Sequence, residues 1–240
     1  MTPHAGKSSQ HYAAKIFGLL YLPAFILLAI SNFGILQPLI DSSDPARAAQ
    51  NILAHATLFR VGILGFLLYS MCTLALSAAL YVILRPIGQN LALLALFGRM
   101  VNGLVWLTIA LNLFSALRVL SQPAATGSQP YLARLYLSGF DQYYVGLLFW
   151  SLGAAIGAYL WFKSGHVPRA LAISGILAGA WGATCTIALL IFPDFQNIVN
   201  LWLFDTPLVL FEISLSILVL CRGLSSDNPK STPEPAAYVK

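Results

Sequence analysis

The apolar run from Leu201 to Cys221 carries Glu212 near its middle, with no charged residue closer than Asp205 and Arg222. A carboxyl at the centre of a membrane helix costs about 2.5 to 3.5 kcal/mol on insertion scales, so such a residue is expected to face a bundle interior and a partner. A chain containing that run is expected to be an all-α, polytopic transmembrane bundle with one buried polar site. Composition agrees. Charged residues make up 9% of the 240 residues, hydrophobic ones 58%, and mean hydropathy is +0.78, more apolar than a soluble core of this length requires.

The net charge of +5 raises the question of a nucleic-acid partner. The basic residues do not cluster with aromatics; they stand at the ends of apolar runs, which is a topology signal and argues against nucleic acid. Cys72, Cys185 and Cys221 fall inside apolar runs without paired or ligand spacing and read as core residues. His4, His11, His55 and His166 lie outside those runs and lack a motif such as H-E-x-x-H. Neither a metal nor a cofactor is expected.

Residues 1–15 are polar and precede an apolar run from Ile16 to Leu36. Ala29-Ile30-Ser31 resembles a cleavage site, but a run of about 20 residues spans a bilayer and exceeds a signal core, so a retained helix is expected. Asp44-Pro45 has the form of a helix start, with Asp as N-cap and Pro at the first helical position. An amphipathic lead-in follows, either on the membrane surface or extending the second span, Val61 to Leu84, which ends at Arg85-Pro86. The third run, Leu91 to Leu117, holds Arg99 with Asn102 one helical turn beyond it. Arg99 is expected either buried or snorkelling to the headgroups. Residues 121–130 read as a loop, and Tyr131, Tyr136, Tyr143 and Tyr144 as an interfacial belt.

The fourth span, Asp141 to Phe162, contains Gly153 and Gly157. The fifth, Ala170 to Phe192, contains Gly175, Gly179 and Gly182. These small residues predict close packing of a hairpin, with a stripe lining a passage or lipid groove as the alternative. Thr206-Pro207 suggests a helix start, with Arg60, Asp141 and Asp205 at an outer rim.

With six spans and a cytoplasmic N-terminus, Lys7, Lys15, Arg85, Lys163, Arg169, Arg222, Lys230 and Lys240 fall inside, against Arg47, Arg60, Arg118 and Arg134 outside. That bias predicts both termini in the cytoplasm. The expected organisation is a cytoplasmic segment 1–15, a transmembrane domain 16–221 and a disordered cytoplasmic tail 222–240. A weak echo between Tyr81–Arg85 and Tyr159–Lys163 is compatible with a duplicated hairpin and with ordinary positive-inside endings.

The segments LFRVGI (58–63), LYVILRPIGQNLALLALFGRM (80–100), SGHVPRALAISGILAG (164–179) and FEISLSILVLCRG (211–223) resemble a bacterial membrane family known as domain of unknown function 4386. The resemblance covers most of residues 12–224. It implies a bacterial inner-membrane protein of about six helices and brings no activity with it. The family pattern usually has Gly before the late Glu, where this chain has Phe211, so any close helix contact that Gly permits is in doubt here.

The expected functional residues are Arg99, Asn102 and Glu212. If each span starts where its apolar run does, the two charges are expected to be partners, each about 12–15 Å into the bilayer from the same side, at 1.5 Å per residue. A buried titratable acid fits a small-solute or proton-linked transport or permeation protein. A membrane scaffold, sensor or accessory subunit with a structural ion pair is the alternative. An intramembrane enzyme is disfavoured, because Ser164-Gly165-His166 and Ser174-Gly175 pair no nucleophile with a base inside an apolar run.

Overall fold

The computed structural model describes residues 3–40, 43–122, 129–138 and 140–223, without the side chains of residues 3–8, 140 and 141. Among the described residues there is no strand. Six helices are long and apolar enough to cross a membrane, lying within Ser9–Leu39, Ala56–Leu84, Gln89–Leu120, Gln129–Ser164, Arg169–Ile191 and Trp202–Arg222, the fourth being the helix Phe140–Ser164 that follows a short helix. These are the first to sixth spans of a multi-pass membrane protein. In hydrocarbon each backbone N–H and C=O has to be satisfied within its own segment, so apolar runs of this length become helices.

The spans are arranged in chain order. Each packs against the next, and the sixth returns to the first, closing a ring of six. The first and last spans meet closely where a Cβ on Gly18 would stand 3.0 Å from the Leu220 Cβ. Both ends of the described chain therefore lie at one end of the bundle, here the terminal end; the other is the far end.

The first span is helical from Pro3 to Ala29 and widens into a π-helix over Ile30–Leu36. Ser31 in that turn is buried against the second span, and a Cβ on Gly65 would collide with its Oγ. Asp44 caps the helix Pro45–Ala54, its Oδ1 accepting from the N–H groups of Ala46 at 3.0 Å and Arg47 at 3.1 Å. This helix is separate from the second span. It lies at the far end against the short helix Gln129–Leu137, in a stretch where the sequence suggests a loop followed by an aromatic belt.

Four expectations need correction. Tyr131 and Tyr136 are exposed, as a belt requires, but Tyr144 is buried and Tyr143 turns inward. The fourth span directs these two rings onto Trp106 and Phe204. The helix of the sixth span starts at Trp202, so Pro207 lies inside it. Pro207 has no N–H for the carbonyl four residues earlier, and the Trp181 indole of the fifth span donates to that Leu203 oxygen at 2.7 Å. Among the cysteines only Cys185 is buried; Cys221 is exposed, on an apolar span whose outer surface faces lipid.

The glycines are the fourth case. Gly179 does bring the fifth span onto the fourth: a Cβ there would meet the Ser151 carbonyl oxygen at 2.6 Å. Gly182 meets the Ser151 Oγ at the same distance, and Gly175 receives the ring of Phe211 from the sixth span. Gly153, however, packs on the third span, with the Ala95 carbonyl oxygen 3.0 Å from its virtual Cβ and Gly98 opposite. Gly157 is at no close crossing, its nearest neighbours being Leu80 and Leu84 side chains at 3.9 Å. Small residues permit close approach, but which helix approaches is decided by rotation about the axis, which spacing alone does not reveal.

Candidate functional site

Near the middle of the ring, Arg99 of the third span and Glu212 of the sixth form an ion pair in which both ends of the guanidinium fork engage the carboxylate. The second contact, Nη2 to Oε2, is 3.2 Å. Arg99 is 5% exposed and Glu212 2%, so the arginine does not snorkel. An arginine suits this position because its planar fork matches a carboxylate and its charge persists when buried.

The carboxylate has a third donor. Trp150 of the fourth span gives its Nε1–H to Glu212 Oε1 at 3.0 Å. Its indole is amphipathic, with a large apolar body and one N–H that needs an acceptor when buried. A small cavity of about 20 Å³ adjoins the pair, lined among others by Tyr21, Tyr69, Thr73, Asn102 and Trp150. That volume holds about one water molecule. The Arg99 Nε is buried without a hydrogen-bond partner among the described residues, so the guanidinium retains unused donor capacity next to this space.

Five spans thus contribute to one polar point: Tyr21 from the first, Tyr69 and Thr73 from the second, Arg99 and Asn102 from the third, Trp150 from the fourth and Glu212 from the sixth. The expected trio of Arg99, Asn102 and Glu212 is brought together around it. Asn102 is 4% exposed and stands against the fourth span, its Oδ1 3.1 Å from a virtual Cβ on Gly146. Tyr21, Tyr69, Thr73 and Trp150 escape the sequence reading. A mid-span tryptophan with no other visible acceptor was the one signal available for Trp150.

Of the residues expected at the outer rim, Asp205 and Arg60 have described side chains. Asp205 is partly buried and accepts a hydrogen bond from the Tyr143 hydroxyl. Arg60 is exposed on the second span, and among the described residues no ion pair joins it to Asp205. The side chain of Asp141 and residues 224–240 of the expected tail lie outside the described residues. The two serine strings serve the backbone. Ser164 Oγ donates to the Trp161 carbonyl at 2.8 Å and accepts from the His166 N–H at 3.2 Å, while Ser174 Oγ donates to the Leu171 carbonyl at 2.8 Å.

The fold and the site define a six-span membrane protein with a buried, hydrogen-bonded Arg–Glu pair on the axis of its helix ring. The chain belongs to the family described as domain of unknown function DUF4386, whose pattern matches residues 16–223. No curated protein and no solved structure matches it. Phe211, where the family resemblance leads one to expect Gly, is accommodated by Gly175 on the neighbouring span.

Proposed function

We propose that this chain is a proton-linked transport or permeation protein of a bacterial inner membrane, with both termini cytoplasmic and Glu212 as its titratable group. The observation that carries this reading is the convergence of five spans on one water-sized polar cavity beside a buried ion pair. Ionisable residues are expensive inside a membrane bundle, and in pumps and transporters they mark ion pathways and proton relays. The cavity volume favours a proton or water over a larger solute. Protonation of Glu212 would cancel its attraction to Arg99 and loosen the sixth span from the third. A change at one carboxyl would in this way be coupled to a rearrangement of helices.

The test is proton flux into liposomes containing the purified full chain, a trapped pH-sensitive dye and an imposed potassium diffusion potential. Flux above that of protein-free liposomes is expected for the wild type, falling to the protein-free level in Glu212→Gln. Wild-type flux equal to that of empty liposomes overturns the reading. Reporter fusions after Lys240 that are active only in the cytoplasm are expected, and activity outside it would reverse the orientation.

A second reading, a scaffold or accessory subunit in which the pair only fixes helix register, is favoured by the saturation of Glu212. Its two oxygens already receive three donors. It predicts no flux above that of protein-free liposomes.

A further inference from the structure

Asp205 and Glu212 lie seven residues apart in the sixth span, two helical turns or about 10 Å, so they share one face. Each carboxylate is held from the fourth span by an aromatic donor 62 residues earlier in the chain, Tyr143 for Asp205 and Trp150 for Glu212. The two groups are therefore stacked along the same helix pair, one on the axis of the bundle and one toward its far end.

The space between them is not filled by hydrocarbon alone. Tyr69 lines the cavity of the ion pair and packs edge-on against Trp106 with ring centroids 5.4 Å apart; Trp106 in turn meets Tyr143 at 5.8 Å. Toward the terminal end the core contains Leu80, Ile83, Leu84, Leu160 and Leu215; the buried hydroxyls of Ser77 and Ser216 on that side donate to the Thr73 and Gly18 carbonyls, and among the described residues no second carboxyl is buried there. The second carboxyl on this face of the sixth span, Asp205, thus lies toward the far end.

We infer that Asp205, held by Tyr143, is a proton-exchange site through which Glu212 equilibrates with the far side of the membrane. A hydronium ion gives its proton to the Asp205 carboxylate. The proton then moves by way of the Tyr143 and Tyr69 hydroxyls and water admitted between them, each oxygen accepting one proton as it releases its own. Glu212 receives the last proton on a carboxylate oxygen and leaves Arg99 as an unpaired cation. The group facing Asp205 is Tyr143 from the fourth span, with Tyr144 beside it against Phe204; Cys185 of the fifth span adjoins its neighbour Phe204. Those facing Glu212 are Arg99 from the third, Tyr21 from the first and Tyr69 from the second. This inference deepens the proton-linked reading and rests on it.

The test is a stopped-flow pH jump on the full chain in detergent, reading Trp150 fluorescence as the difference between the wild type and Trp150→Phe, since Trp150 bonds directly to the carboxylate that titrates. Asp205→Asn is expected to slow the response by about a hundredfold, the scale of losing one positioned proton carrier, with its final amplitude unchanged. Asp205→Glu restores the rate. Tyr143→Phe, which preserves the ring packing, slows it as well and serves if Asp205→Asn fails to fold. A response as fast in both variants as in the wild type, or no Trp150 response to pH, overturns the inference. Liposomes without proton flux but with a slowed Asp205→Asn response would reject transport and retain the exchange site. Flux with an unslowed response would do the reverse.

Discussion

The ring of Phe211 lies directly over Gly175, where any Cβ would run into it. The two residues belong to the sixth and fifth spans, and the bulk of one is matched by the absence of a side chain on the other. Gly175→Ala is expected to destabilise the protein in detergent by about 1 to 3 kcal/mol, the cost of overpacking a filled site. In a Phe211→Ala background the same change should be nearly neutral. Thermal unfolding of the four proteins checks this, and equal losses in both backgrounds would show that the ring is free to move aside.

Arg99 and Glu212 should show strong coupling. Leaving a buried charge without its partner costs about 3 to 5 kcal/mol, whereas replacing both by hydrocarbon is often neutral or stabilising. Arg99→Leu and Glu212→Leu are each expected to lower folded yield sharply, and the double variant to recover most of it. A double-mutant cycle in detergent measures the coupling; additive losses would mean that the pair seen on the axis contributes nothing.

Gly179 and Gly157 offer a contrast within one hairpin. Leucine at Gly179 has to displace the Ser151 backbone, 2.6 Å from where its Cβ would be, while leucine at Gly157 first meets side chains at 3.9 Å. Gly179→Leu should therefore cost at least about 1 to 3 kcal/mol and Gly157→Leu clearly less. Melting temperatures of the two variants in the same detergent decide it.

Trp181 and Pro207 should be coupled although they do not bond to each other. Trp181→Phe leaves the Leu203 carbonyl, on the exposed outside of the bundle, without its indole donor, a loss of about 1 kcal/mol for one hydrogen bond not replaced. In Pro207→Ala the backbone supplies an N–H again, and Trp181→Phe should then cost little. An undiminished loss in the Pro207→Ala background would assign the indole a role in packing only.

Much of this architecture is legible in the sequence because hydrocarbon imposes length and charge rules on each segment separately. Arg99 and Glu212 emerge as partners since depth follows from counting residues along antiparallel helices. Rotation does not follow from counting. Trp150, Tyr69 and Tyr21 reach the same cavity only because the ring turns particular faces inward, and nothing local distinguishes Tyr143, which turns in, from Tyr136, which stays out. The partner of Gly153 was hidden for the same reason: its stripe faces Gly98 on the third span rather than the fifth. Phe211 shows the converse, a residue whose meaning appears only with Gly175 across the helix boundary.

The closed order of the spans makes the ring indifferent to where the chain is cut. Every span touches its chain neighbours and the first touches the last, so no helix contact depends on where the polypeptide begins. Gly223 already lies beside His11, whose Cε1 would stand 3.8 Å from a Cβ at that glycine. A circularly permuted chain, joined there by a short linker and opened at the turn around Gly165, would keep each span's direction through the membrane and every interface of the ring.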